Sequence, residues 1–549
     1  RRRGYAASRL RGCAAARPRC AEARRGAMCC DFLTCFCSCS VLVAFSALAA
    51  GLYANELSKF RENDAGTRWV NWIGEFDCGP GVAIERPATV EALQEAVRRH
   101  HAVRAVATGH SFNPFACPSF PQGAVIDTTA LRAVKVEPHG DGHKVVAEAG
   151  VKMGQLQNEI LARGLTLRVP PGNSAYTLGG CIATGCHNLG QSHAQDLLAV
   201  TIVQHNGSIV EVKRGDADFD AAAVSLGRLG VILSATLEVL PYRTLQWSAE
   251  ALPLADTPGV IDKLLAMTER QTSRETVGNK LVFYLATGVM MMEHWVPMGR
   301  AASLQDAGEP LPPYVNRQPF RVGQGALTRM YAELRAAAFG ATPLGVLNAL
   351  QVPAEMAFKG LHSSPALAAV RKALGWQHSP EARGEGSERP TGNQYTWAGW
   401  LDEVMNLLMG LRHVEVIFPL EPKDKAVRCL DAVFAHRHLA WWRLNVRTQQ
   451  SEGFHLSSTY GEPGAKPVSF ARVDFVGPGA LLDLPTGEAS LTARLRSECP
   501  GWRKHWGKGL FATSAEEQWG NPAAFLEAAA RWDPASKFVP LKNPRWLSA

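Results

Sequence analysis

The period of the apolar positions changes several times along the chain, and the changes divide it. Between residues 68 and 242, short β-branched runs alternate with helical periodicities. Residues 82–87 read as a strand. Residues 89–101 place Val90, Leu93 and Val97 on one face behind Thr89, which predicts a capped amphipathic helix. A buried strand is expected at 103–107, with further strands at 123–127, 134–136 and 145–149. Residues 153–163 read as a helix stopped by Gly164. Two β runs, 198–204 and 208–212, flank Asn206-Gly207, a hairpin-turn signal. A helix at 218–226 and a strand at 231–240, closed by Pro241, complete an α+β domain.

Beyond residue 243 the pattern changes. Strand-like runs at 280–285, 414–418, 442–446 and 469–475 alternate with helical stretches at 258–270, 327–339 and 423–437. This predicts a second sheet covered by helices over 243–500, interrupted by a polar surface insertion at 378–396. Residues 501–549 form a separate C-terminal segment.

At the other end, residues 32–54 carry no charged side chain and are long enough to cross a bilayer as a helix. Residues 1–27 hold nine Arg and a single acid, Glu22, and resemble a mitochondrial transit peptide. Read together they predict a membrane anchor with the body across the membrane from the Arg cluster. The mitochondrial inner membrane is the favoured location and the endoplasmic reticulum the alternative.

The charge lies where that leader lies. The formal net charge is +8, and residues 1–27 account for all of it, so the body is balanced and nucleic acid is disfavoured as a partner. Seven of the thirteen cysteines precede residue 40. The remaining six are scattered, with no zinc spacing, and the body does not read as a disulfide scaffold.

Two glycine-and-histidine stretches carry candidate chemistry. The first, Ala107-Thr108-Gly109-His110-Ser111-Phe112-Asn113, follows the buried strand. Successive N–H groups in such a turn form an anion nest suited to a pyrophosphate. The second spans residues 179–190, with Gly179, Gly180, Gly185 and Gly190 allowing close approach to a planar ring. Ser174, Thr177 and Thr184 offer hydroxyls nearby. Neither stretch is a dinucleotide GxGxxG or a nucleotide P-loop. Together they point to a flavin. Near the end, His505-Trp506-Gly507-Lys508 offers a cation that would stabilise a reduced, anionic flavin.

With residues 226–232 (Leu-Gly-Arg-Leu-Gly-Val-Ile), these segments occur in the order seen in the aldonolactone oxidoreductases of the vanillyl-alcohol-oxidase superfamily, which the chain resembles over most of 68–549. The resemblance implies a two-subdomain FAD-binding fold of the PCMH type, then an α+β cap domain that lays substrate against the flavin. It implies oxidation of an aldonolactone carbinol, with hydride passing to the flavin and electrons on to oxygen or cytochrome c. His110 matches a position that is covalently flavin-linked in some members. Gly179, Gly180, Gly185, His187, Asn188, Gly190, Gly230, Val231 and Ile232 match cofactor-facing backbone. His505 and Lys508 match the flavin-proximal end of the chain.

One position departs from the pattern. Members often carry Glu-x-Arg on a cap strand, a spacing that puts both side chains on one face. Here the match is Asn445-Val446-Arg447, so Arg447 is kept and Asn445 replaces the acid. Asn orients a hydroxyl but is no carboxylate base. Either the substrate differs or activity is reduced; the resemblance still implies a sugar lactone. The alternatives are a polyol or alditol oxidase, or a weakly active flavoprotein serving a membrane complex.

Overall fold

Thr89 caps the first helix: its Oγ1 accepts from the Ala92 N–H, and α1 (Val90–Arg99) buries Leu93, Ala96 and Val97. The computed structural model describes residues 69–541 apart from 72–76, 120–121, 169–175, 243, 254–255, 273–277, 285–288, 298–387, 391–410, 441–442, 479–481, 484 and 510–519. Beside α1, strands β1 (Ala83–Glu85), β2 (Val103–Val106) and β3 (Ala124–Asp127) form a parallel sheet in the order β1–β3–β2.

A second sheet follows, antiparallel, in the order β4–β5–β9–β7–β8. It contains β4 (Val134–His139), β5 (Gly142–Glu148), β7 (Leu197–Val203), β8 (Ile209–Lys213) and β9 (Val231–Pro241), with short β6 (Leu165–Thr166) pairing the end of β9. Helices α2 (Met153–Leu161) and α3 (Leu178–Thr184) bury Leu156, Ile160, Leu178 and Ile182 against it. The helix expected at 218–226 is only α4 (Phe219–Ala222), because Leu226 and Gly227 turn to positive φ, 52° and 66°.

The second half is an eight-stranded antiparallel sheet. Its strands are β10 (Thr244–Pro253), β11 (Gly278–Tyr284), β12 (Val289–Pro297), β13 (Glu388–Pro390), β14 (Leu411–Pro419), β15 (Arg443–Gln450), β16 (Ser469–Pro478) and β17 (Arg503–Lys504), in the order β13–β10–β12–β11–β15–β16–β14–β17. One face buries Leu281, Phe283, Val414, Val416, Leu444, Val446, Val473 and Phe475 under α5 (Thr257–Thr272), α6 (Lys423–Ala435) and α7 (Glu488–Glu498). Strand alternation then sends His413, Glu415, Asn445, Arg447, Arg472 and Asp474 to the other face. The chain finally returns to the first half. There α8 (Pro522–Trp532) adds Phe525, Ala528 and Trp532 to the core of the antiparallel sheet, and Phe538 packs with α1.

Four expectations change. Two disulfides, Cys78–Cys117 and Cys429–Cys499, cross-link the body. Their partners stand 39 and 70 residues apart, so sequence spacing carries no trace of them. The second glycine stretch is partly helical, as α3, rather than a loop. Strands β10 and β12 form where no strand was expected, and β13, inside the expected insertion, pairs with β10 at the sheet edge. The expected helix at 327–339 and the apolar segment 32–54 lie outside the described residues. Among those described, no helix is long and apolar enough to cross a membrane.

Candidate active site

A cavity of about 310 Å³, in the range of ligand pockets, opens between the glycine stretches and the polar face of the eight-stranded sheet. Ala107, Thr108, Gly109, His110 and Ser111 line one wall. Thr177, Gly179, Gly180, Thr184, His187 and Asn188 line the next, with Gly230 and Ile232 beneath. Arg447, His505 and Lys508 close it from the far side. The structure thus brings sixteen of the expected site residues to one cavity.

Six others are placed differently. Asn113 is buried behind the wall, where its Nδ2 donates to Trp506 O (2.5 Å) and Lys508 O (2.6 Å), binding the first loop to the C-terminal segment. Gly185 is the left-handed C-cap of α3, φ 67°. Gly190 lies against Thr448 and Gln271. Val231 is core, and Asn445 is buried outside the cavity lining. Ser174 lies outside the described residues. Gly179 lines the cavity, but its backbone packs on Ala149, so its small size also serves helix–strand contact.

The first wall fits a phosphate-bearing ligand. Gly109 has φ 72°, and the N–H groups of Thr108, Gly109 and Ser111 meet no backbone acceptor among the described residues. His110 stands in this turn with Nδ1 3.0 Å from Thr108 Oγ1 and its ring edge-on to Tyr176. Arg104, from β2, fixes the floor. Its guanidinium donates to Phe115 O, Leu226 O, Gly227 O and Phe538 O, gathering three distant segments, and burial pulls its pKa down to about 9.

The opposite wall is a buried charge network. His187 Nε2 lies 3.0 Å from Glu415 Oε1, Arg472 Nη1 lies 2.6 Å from the same oxygen, and Lys508 Nζ lies 2.6 Å from Glu415 Oε2. Lys508 Nζ also lies 3.0 Å from Asp474 Oδ1, and Arg447 Nη1 lies 3.5 Å from Asp474 Oδ2. Burial opposes ionisation of both acids, yet each sits below its usual range: His187, Lys508 and Arg472 hold Glu415 down, and Lys508, His413 and Arg447 hold Asp474 down. Burial would likewise lower Lys508, but Asp474 and Glu415 more than offset it, and the ammonium stands above its ordinary value.

The histidines are fixed as neutral donors. Burial pushes His187 well down and His505 to about 4. His187 therefore donates through Nε2 to Glu415 and keeps Nδ1 as an acceptor, a buried atom with no hydrogen-bond partner among the described residues. His505 Nδ1 accepts the Gly507 N–H at 3.0 Å, which leaves Nε2–H as its donor. An orphaned acceptor beside an open amide nest fits a flavin nucleotide, which carries both phosphates and a ring N–H.

Asp474, His413 and Tyr176 line the cavity without having been expected there. Glu415, in the strand-like run 414–418, joins the charge network from β14. Asp474 has a faint signal: it is a lone acid at an alternating position in the apolar run 469–475. In register it stands directly across from Asn445.

The fold and site define an FAD-binding protein: residues 83–213 match the family described as FAD binding domain. The L-gulono-1,4-lactone dehydrogenase of Mycobacterium tuberculosis is 33% identical over 204 residues, which cover 36% of this chain and 46% of that protein. The L-gulonolactone oxidase of Bos taurus is 31% identical over 37% of this chain and 47% of its own. An alditol oxidase of Streptomyces sp. is 32% identical over 32% and 42%. Over its FAD-binding region, then, the chain is similar to aldonolactone oxidoreductases, and it spans about half the length of the curated relatives it matches. A crystal structure of cholesterol oxidase from B. sterolicum shares the fold alone, with TM-score 0.61 at 14% identity over 86% of this chain and 95% of that one.

Proposed function

We propose that the protein is an FAD-dependent oxidoreductase that oxidises a carbinol of an aldono-1,4-lactone, passing electrons to oxygen or cytochrome c. One observation carries this reading: Asp474, Arg447 and Lys508 converge on the cavity wall that faces the FAD-binding loops. A polyhydroxylated lactone offers hydroxyl donors to a carboxylate and carbonyl and ring oxygens to cations, and this wall supplies both.

FAD supplies the two-electron acceptor. The amide nest at Thr108–Ser111 would hold its phosphates, and the His187 Nδ1 acceptor and the His505 Nε2–H donor suit polar edges of its ring. Asp474 accepts a substrate hydroxyl. Its strongly depressed pKa makes it an orienting anion rather than a base. His413 lines the cavity beside it, with Nδ1 3.9 Å from Asp474 Oδ1. Asn445 is not a deficit on this reading, because the acid comes from the neighbouring strand.

An alditol substrate is the second reading, motivated by the alditol oxidase relative. Lactones should win, because the paired cations have a carbonyl to orient only in a lactone. Anaerobic addition of gulono-, galactono- and arabinono-lactone and of xylitol tests this through loss of oxidised-flavin absorbance. Bleaching by a lactone is expected; bleaching by xylitol alone selects the second reading, and none at all rejects both. Repeating the lactone reaction with oxygen or cytochrome c identifies the acceptor.

Covalent attachment through His110 is part of the proposal. Acid-precipitated protein should stay yellow, and His110→Ala should release the colour to the supernatant. The proposal also puts the body in an oxidising space behind a membrane anchor, which the two disulfides support. Protease protection of tagged protein in intact mitochondria and microsomes checks that placement.

A further inference from the structure

Helix α3 ends in a Schellman motif. Gly185 is left-handed, Gly185 N–H donates to Ile182 O at 3.3 Å, and Cys186 N–H donates to Cys181 O at 2.9 Å. In that motif the side chains of the residue four before the left-handed glycine and of the residue after it frequently make contact. Both of those positions are cysteine here, Cys181 and Cys186. Cys181 lies in the core of the antiparallel sheet and Cys186 packs against that same core. Both are free thiols, Cys181 buried and Cys186 half-buried, and both line the cavity. The remaining four cysteines of the body are already in disulfides.

We propose that Cys181 and Cys186 form a redox-active dithiol on the cavity wall, which closes to a disulfide by exchange with a small disulfide such as glutathione disulfide. Sequence proximity and the backbone fold-back, with Cys186 N–H bonded to Cys181 O, bring the two residues together at the helix end. The two sulfurs are not equivalent. Cys186 is the more exposed of the two, and the neighbouring Cys181 thiol draws it down despite its burial, with Thr184 Oγ1 3.7 Å from its sulfur and Lys508 adding to the effect. The Cys186 neighbour and burial together raise Cys181. Cys186 is therefore the attacking thiolate and Cys181 the resolving thiol.

The exchange balances in two steps. Cys186 thiolate attacks one sulfur of the small disulfide, its S–S bond breaks, and one thiolate leaves. Cys181 then gives up its proton and attacks the Cys186 sulfur, releasing the second thiolate. The cysteines lose two electrons, the small disulfide gains them, and the two protons shed by the cysteines end on the two released thiols. The consequence is local. Cys186 precedes His187, which is bonded to Glu415, so the redox state of the pair is read one residue from the buried charge network.

The test does not depend on which substrate is turned over. The purified full chain is equilibrated in glutathione buffers from reducing to oxidising, quenched in acid, and alkylated. Trypsin then releases residues 169–213 as one peptide that holds only these two cysteines. Under reducing conditions the peptide should carry two alkyl groups. Under oxidising conditions it should carry none and weigh two hydrogens less than the dithiol, reverting with dithiothreitol. In Cys181→Ser the closed form should vanish and Cys186 should collect a glutathione adduct. Two alkylated thiols at every potential, or stable glutathione adducts in the wild type, would overturn the proposal.

Discussion

The two walls of the cavity are built from different material. The FAD-binding side is mostly backbone: the turn at Gly109, the short helix α3 and the strand start at Gly230 present amides and small residues. The opposite side is mostly charge: Glu415, Arg447, Arg472, Asp474 and Lys508 come from β14, β15, β16 and the C-terminal segment. A backbone wall recognises a shape shared by every molecule of its cofactor, and it tolerates little change. A wall of side chains is held by strand register, and single substitutions retune it. Substitutions on the first side should therefore change cofactor occupancy and stability together. Those on the second should separate substrate turnover from cofactor binding.

The largest effect is expected at Lys508, the cation shared by Glu415 and Asp474. Lys508→Met leaves two buried carboxylates facing each other. It should cut flavin reduction about a thousandfold and destabilise the fold by about 3–5 kcal/mol. Stopped-flow reduction and a thermal melt report the two losses, and retained turnover would remove the charge wall from the chemistry.

Asp474→Asn comes next. Turnover should fall about a hundredfold with FAD occupancy unchanged, because the orienting anion is lost while the amide wall is intact. Since Asn445 stands opposite in register, Asp474→Asn with Asn445→Asp returns one carboxylate to the same pair of positions. That double variant should recover about tenfold over the single. Asn445→Glu alone should not raise turnover, because it sets a second anion beside Asp474. A rise would show that Asp474 does not fill the missing role.

Gly230→Ala probes the other wall. At φ 144° a side chain is strained, and its Cβ would meet Val203 O and the Ile202 side chain. A loss of about 2–3 kcal/mol is expected, together with lowered FAD content, measured by melting and by the ratio of flavin to protein absorbance. A variant with full FAD content and only a weaker KM for substrate would break the contrast between the walls.

The same contrast explains what the sequence made legible. The strands and helices of residues 82–240 carry local signals: Thr89 caps, Asn206-Gly207 turns, Pro241 stops. The glycine stretches likewise announce their backbone work within a few residues. Asp474 and Glu415 look like ordinary strand acids until β14, β15 and β16 align, and alignment is a product of long-range pairing. Asn445 read as a missing acid because the two-residue spacing was followed along one strand. The replacement lies across the strands, where no spacing rule reaches. The two disulfides were hidden for the same reason, and α3 because its glycines resemble a loop.

The smallest effect concerns pH and separates the walls again. Burial holds His193 and His505 near 4 in the folded protein, below the ordinary histidine value of about 6.5. The unfolded chain therefore binds protons between those values that the folded chain refuses, so stability must fall as pH drops through that window. From pH 7 to 5.5 each histidine should cost about 1 kcal/mol. The depressed carboxylates act lower: their contribution stays full above about pH 4 and fades only beneath it. Melts across pH 7 to 5.5 should thus show a slope set by buried histidines, which His505→Gln or His193→Gln flattens by about one group's share. Asp474→Asn should leave that slope alone. If it changed the slope and the histidine variants did not, the acids of the charge wall, rather than its neutral imidazoles, would govern the response to mild acid.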